Sequence, residues 1–533
     1  MSEDKLFLYD TTLRDGTQRQ GISLSADDKL KITRLLDSFG IPYIEGGWPG
    51  SNPKDINYFE QVRKLDLKQA KIVAFGSTRR ANCLVKEDTN LRLLLAAGTP
   101  AVAVVGKSWR LHVEKVLRTT RAENLLMISE SIKYLKDQGR EVIYDAEHFF
   151  DGFKADPVFT LETIRAARES GADWIVLCDT NGGSLPFEVS NAVTLIKREI
   201  GGAIGIHTHN DAELAVANSL AAVEVGATQI QGTINGYGER CGNANLVSLI
   251  PTLQLKLGRK VVGTDQLEAL VDLSRSISEI ANLGPDTHAP YVGKNAFAHK
   301  GGIHVAAVER VAESYEHINP ELVGNSRTIV VSELSGRGNL RMTARNLGIE
   351  IAEDNAKLLE QIKSYEERGY QFENADGTIE LMLRRTQPSH KPLFKLLDMT
   401  VVINEDGKDN FHSQAIVKLE IGHKVFHTVA EGDGPVNAID QAFRKALQSS
   451  YPTVSNVHLT DFKVRIIDPE RATDAMTRVH LEAAFGDARW TTVGCGRNII
   501  KASWEALADS IELFLLRQEE AKDKRVLGLV AND

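Results

Sequence analysis

A (β/α)8 TIM barrel, then a helical connector, then a C-terminal α+β domain is the architecture that this sequence of 533 residues predicts. Three observations predict it. Short β-rich apolar runs alternate with longer amphipathic stretches from Lys5 to Leu257, polar residues gather directly after those runs, and a strand–strand–helix pattern occurs twice beyond Lys391.

The runs, in order, are Leu6–Tyr9, Tyr43–Glu45, Ile72–Phe75, Val102–Val105, Val142–Tyr144, Trp174–Leu177, Ile204–Ile206 and Gln229–Ile234. Helical periodicity lies between them, for example at Asp27–Phe39, Ala122–Lys136, Pro157–Glu169 and Ala212–Glu224. Strands separated by helices pair in parallel. Eight such units in roughly 250 residues suit a closed barrel better than an open sheet, and no GxGxxG turn follows the first run. Past Leu257 the rhythm stops. Val261–Asn282 predicts one or two helices, Leu283–Gly302 a Gly/Pro/His-rich loop, and Ile303–Ala312, Leu340–Leu347 and Ala352–Arg368 further helices. Beyond Lys391, Met399–Ile403 and Gln414–Glu420 lead to Gly432-Asp433-Gly434 and a helix at Asn437–Leu447. Asp461–Ile467 and Val479–Ala484 lead likewise to Gly494-Cys495-Gly496 and a helix at Ile499–Leu516. Such a repeat predicts a pseudo-symmetric module. The expected domains are 1–285, 286–390 and 391–533.

Composition bounds the function without naming it. A hydrophobic content of 42% and a charged content of 25% are those of a globular protein. A net charge of −9 argues against nucleic acid as a partner, so any polyanionic ligand needs a locally basic patch. The N-terminus lacks the apolar core of a signal peptide, and no apolar stretch is long enough to span a bilayer. Cys83, Cys178, Cys241 and Cys495 are far apart and form no CxxC, which suggests reduced thiols and a cytoplasmic location.

Barrels carry their chemistry at the C-terminal rim of the strands, where this sequence is richest in reactive groups. His207-Thr208-His209-Asn210-Asp211 closes the seventh strand. Alternation puts His207 and His209 on one face, about 6.5–7 Å apart along the strand, within reach of one metal ion at about 2.1 Å; the alternative is a pair of structural histidines. The segment Asp10–Gly16 follows the first strand. A carboxylate from it could complete a two-His, one-carboxylate set, and Arg14 could hold an anionic oxygen; a surface salt bridge or helix cap is the plainer reading. Asn235–Asn243 follows the eighth strand with three glycines, which let backbone approach a ligand. Its Asn243 is either a metal ligand or a helix cap. Glu147, after the fifth strand, is a candidate acid or base, or else an ion-paired rim glutamate. Phe75 and Val105, after strands three and four, are bulky enough to close a pocket around a methyl group.

Taken together, Asp10–Gln18 (DTTLRDGTQ), His207–Asp211 (HTHND) and Asn235–Asn243 (NGYGERCGN) resemble the DRE-TIM metallolyase superfamily. His299–His304 and Tyr315–Pro320 are similar to the connector of its Claisen-condensing branch, the 2-isopropylmalate, homocitrate and citramalate synthases. The part from Lys391 resembles the regulatory domain of isopropylmalate synthase, and Glu45–Pro53 and Glu147–Gly152 look most like the citramalate synthase group. This resemblance implies that Asp15, His207, His209 and, more weakly, Asn243 bind Mg or Mn, a choice the ligand types do not fix. It also implies acetyl-CoA and pyruvate as substrates. Arg14 then balances charge on the keto oxygen, Thr180 binds the acceptor carboxylate, and His304, Tyr315 and Glu147 share the removal of the methyl proton. A homodimer and isoleucine as effector are further implications. Three alternatives differ in kind: a sister synthase using 2-oxoisovalerate or 2-oxoglutarate, a lyase of the same superfamily, and a non-catalytic amino-acid sensor that kept the barrel.

Overall fold

A computed structural model describes residues 5–332, 335–351, 355–405, 411–486 and 488–526. Its contacts divide the chain into two units. One runs to Phe297 and takes in Ile318–Arg327; the other is Ala298–His317 with the described residues from Thr328 onward.

The first unit holds eight strands: β1 (Phe7–Asp10), β2 (Tyr43–Gly47), β3 (Lys71–Ser77), β4 (Ala101–Lys107), β5 (Glu141–Glu147), β6 (Trp174–Asp179), β7 (Ala203–Thr208) and β8 (Gln229–Gly232). They pair in sequence order, all parallel, and β8 returns to β1 to close the barrel. Strand alternation divides the apolar residues into two cores. Tyr9, Tyr43, Val73, Phe75, Ala103, Ile143, Trp174, Val176 and Cys178 fill the interior. Their neighbours Leu8, Ile44, Ile72, Ala74, Val104, Tyr144, Ile175 and Leu177 pack against the surrounding helices. The same parity puts Asp145, His207 and the register partner of His207, Gln231, on the inward face.

Local signals set the helix starts. Ser25 and Asp28 form a capping box before Ala26–Phe39, and Gly40 ends that helix in the left-handed region. Asn52 caps Pro53–Val62 and Asp156 caps Pro157–Glu169, each with proline in the first turn. Two expected elements are shorter than their patterns. The eighth strand stops at Gly232 rather than Ile234, because Asn235 turns the chain at φ 62°. The helix expected from Ala212 starts at Ala215, because Asn210 and Ala212 donate their backbone N–H groups to Gly242 and Gly182 on neighbouring loops.

In the second unit, Ala298–His299 (β9) pairs in parallel with Thr328–Ile329 (β10). Helices Gly302–Arg310, Arg337–Asn346, Ala356–Glu367 and Asp376–Arg385 follow; the start of the helix expected at 352–368 lies outside the described residues. Two antiparallel three-stranded sheets come next: β11 (Lys395–Glu405), β12 (Phe411–Ile421) and β13 (Lys424–Gly432), then β14 (His458–Ile466), β15 (Thr477–Phe485) and β16 (Ala488–Gly496). Each sheet is followed by a helix, Pro435–Leu447 and Ile499–Val526. The first strand of each copy carries a register shift at the equivalent place, Leu396/Asp398 and Leu459/Asp461. The repeat seen in the sequence is therefore a repeat of structure. Both helices pack on Ala415, Val417, Leu419, Val479, Leu481 and Ala483 in one shared core.

Candidate active site and metal centre

The ends of β1 and β7 bring Asp15, His207 and His209 together at the C-terminal rim, with one ligand atom of each within 4.8 Å of the others. The Nε2 atoms of the two histidines lie 3.3 Å apart, and Asp15 Oδ2 is 3.3 Å from His207 Nε2 and 3.8 Å from His209 Nε2. All three residues are buried. Histidines that served only structure would have both ring nitrogens satisfied. Here Asp15 Oδ1, His209 Nδ1 and Asn243 Oδ1 are buried without a hydrogen-bond partner among the described residues. Orphaned buried polar atoms of this kind are rare, and oxygen and imidazole lone pairs converging on one point are the donor set of a divalent cation. The residues fit the ion. Asn243 is not the helix cap: Asn245 caps Leu246–Pro251 instead.

Electrostatics agree. Burial opposes the charge on Asp15, but Arg14 and His207 outweigh it and hold the carboxylate ionised. Burial also opposes a charged His207, yet its hydrogen bond with Asp15 and that carboxylate's charge raise its pKa. Burial and the neighbouring His207 push His209 down to about 3, so it presents a neutral imidazole. The second nitrogen of His207, Nδ1, lies 3.0 Å from the side-chain oxygen of Gln231. With the amide so placed, Nδ1–H donates to Gln231, and once the ring gives up the proton it shares with Asp15 its Nε2 carries the lone pair. Gln231 is held in turn by its own N–H donation to Gln229 and Asp145.

Arg14 is no surface salt bridge. Its Nε donates to Glu45 at 2.6 Å, NH1 lies 3.3 Å from Asp15, and the guanidinium sits 4.0 Å over the Phe75 ring. Glu45, wholly buried, also accepts from Tyr9 and Thr11. The arginine is thus fixed on three sides, and it lines the adjoining cavity.

That cavity has a volume of about 520 Å³ and is lined by Arg14, Asp15, Trp48, Phe75, Val105, Glu147, Thr180 and His209, with Arg79, Arg80, Lys107 and Arg240 among its other walls. It brings together seven of the residues singled out from sequence, and His207 and Asn243 adjoin His209, which is one of them. Thr180 Oγ1 accepts from the His148 backbone at 2.9 Å. Glu147 is ion-paired with Lys107. His304 and Tyr315 belong to the other unit, where their rings stack at 4.3 Å and both residues are exposed. Sequence reading missed Glu45, Trp48, Asp145 and Gln231. The one signal was polar residues at alternate positions of an apolar barrel strand, as in Gln229-Ile230-Gln231.

No helix among the described residues is long and apolar enough to cross a membrane. The HMGL-like family model matches residues 5–277, the homocitrate synthase post-HMGL domain-like model residues 291–370, and the LeuA allosteric (dimerisation) domain model residues 373–515. The chain is 52% identical over 525 residues to the (R)-citramalate synthase of Synechocystis sp., covering 96% of both chains. It is 49% identical to that of Geobacter sulfurreducens, covering 97% of this chain and 99% of the other. Against the 2-isopropylmalate synthase of Methanocaldococcus jannaschii, identity is 30% over 97% and 96%. The three comparisons have nearly equal coverage, so the gap in identity separates the groups, and the chain belongs to the (R)-citramalate synthase family.

Proposed function

We propose that the chain condenses acetyl-CoA with pyruvate and water to give (R)-citramalate and CoA, with Asp15, His207, His209 and Asn243 as the ligands of a divalent cation. The single observation behind this reading is the buried Asp/His/His cluster, opening on a cavity that also holds Arg14 and the apolar Phe75 and Val105. When bound, Mg or Mn supplies the Lewis acidity that polarises a keto group. The chain's own residues have separate tasks. Arg14, locked by Glu45, offers donors to the keto oxygen as it gains charge. Thr180 takes the acceptor carboxylate, while Phe75 and Val105 enclose its methyl. His304, Tyr315 and Glu147 carry the proton away from the acetyl methyl. The methyl carbon then bonds to the keto carbon, the keto oxygen is protonated, and water cleaves the thioester to release CoA. Incubation with acetyl-CoA, pyruvate and Mn should yield (R)-citramalate and CoA in equal amounts. CoA release that does not depend on pyruvate overturns the reading.

The segments 1–285, 286–390 and 391–533 are proposed as catalytic barrel, connector and regulatory domain. A homodimer is supported by the apolar residues left uncovered on both sheets, among them Val402, Ile403 and Phe411 on the first and Phe462, Val464 and Ile466 on the second. Isoleucine is proposed as the effector, since citramalate leads to it. The four free cysteines support a reducing, cytoplasmic setting.

A further inference from the structure

Trp48 lines the cavity beside Arg14 and Phe75. Nothing in the proposed chemistry uses it, yet it is held from several directions. Its ring meets Phe75 edge-on, with centroids 5.5 Å apart at 80°. The indole N–H donates to Asn90 Oδ1 at 2.9 Å, and Asn90 in turn donates to the Ser77 carbonyl at 2.6 Å. The Trp48 backbone N–H donates to Asp55 Oδ2 at 2.9 Å. Gly47 turns the chain at φ 145°, where an added Cβ would lie 2.5 Å from that same carboxylate. So many restraints on a surface-side indole imply a wall whose position matters. Phe75 carries Arg14 on one face at 4.0 Å. Whatever stops Phe75 from swinging away therefore fixes both the apolar wall and the cation that faces the acceptor.

We infer that Trp48, pinned by Asn90, limits the size of the 2-oxo acid that the cavity admits, by holding Phe75 in place and occupying the space a branched side chain would need. The inference rests on the condensing function proposed above. Indole and phenyl offer a methyl group dispersion contact but give a second carboxylate no partner, so the wall works against both branched and dicarboxylic acceptors. Pockets of this kind discriminate about 10–200-fold per methylene.

The test compares kcat/KM for pyruvate, 2-oxobutyrate and 2-oxoisovalerate in wild type, Trp48→Ala, Trp48→Phe and Asn90→Leu, with Mn affinity measured on each. Trp48→Ala should raise the 2-oxoisovalerate-to-pyruvate ratio by about 10-fold or more. Trp48→Phe and Asn90→Leu should move it the same way by less, with Mn affinity unchanged in all three. A structural role would lower every acceptor in proportion, and unchanged ratios in variants that still bind Mn overturn the inference. Should Trp48→Ala fail to fold, the other two decide alone. A wild-type protein that turns over none of the three acids refutes the function itself, a separate outcome from unchanged ratios.

Discussion

At the scale of single residues, the centre is a set of lone pairs arranged before any ion arrives. Asp15 is held ionised and His209 neutral, and Gln231 sets the tautomer of His207. His207→Ala and His209→Ala should each abolish divalent binding and turnover while circular dichroism and thermal unfolding stay close to wild type. Near-normal turnover of either variant with Mg or Mn present rules out this centre. Of Asp15, His207 and His209 only His207 has a raised pKa, so around neutral pH and below a proton competes with the ion for its Nε2. Affinity should rise with pH through that range, with about one proton released per ion bound. Titration calorimetry in buffers of different ionisation enthalpy reads that number; a release near zero at pH 6 contradicts the assignment. Removing the oxygen that orients His207, in Gln231→Leu, should weaken Mn binding by about 10–100-fold, measured by electron paramagnetic resonance.

At the scale of elements, the eight strands were legible because two-residue alternation and helical spacing are local properties, as were the caps at Ser25, Asn52 and Asp156. Where elements end was less legible. The turn before Ala215 is set by hydrogen bonds between loops distant in sequence, and such contacts leave no local pattern. The site shows the same division. Two histidines two residues apart announce themselves, whereas Glu45 and Gln231 matter only because the closed barrel brings them to Arg14 and His207. One buried strand residue has a measurable consequence. Burial raises Asp10, at the end of β1, to about 7, despite the hydrogen bonds it accepts from Thr12. Its folded pKa is above its unfolded one, so its contribution to stability is complete below about pH 4 and is lost as pH rises through about 7. Asp10→Asn should therefore flatten the fall in unfolding free energy between pH 4 and 7. Denaturant titrations that keep the wild-type slope count against a buried, protonated Asp10.

At the scale of the whole molecule, the two sheets of the second unit share a core but leave apolar side chains uncovered, among them Phe462, Val464 and Ile466 on the edge strand β14. A matching LeuA allosteric (dimerisation) domain covers these strands. Phe462→Asp combined with Ile466→Asp should halve the mass seen by light scattering; a mutant of unchanged mass places the dimer contact elsewhere. Isoleucine, at millimolar concentration, should inhibit the full-length enzyme more strongly than leucine or valine, with a coupling of about 5–150-fold in affinity. No inhibition by any of the three leaves the module a structural role only. The central claim is that this buried cluster and its aromatic-walled cavity condense acetyl-CoA with pyruvate. The most direct measurement is CoA thiol release with Mn across pyruvate, 2-oxobutyrate, 2-oxoisovalerate and 2-oxoglutarate. The account predicts the highest kcat/KM for pyruvate, measurable turnover of 2-oxobutyrate, and loss of all activity on chelation. A higher kcat/KM for 2-oxoisovalerate or 2-oxoglutarate, or full activity without a divalent ion, would contradict it.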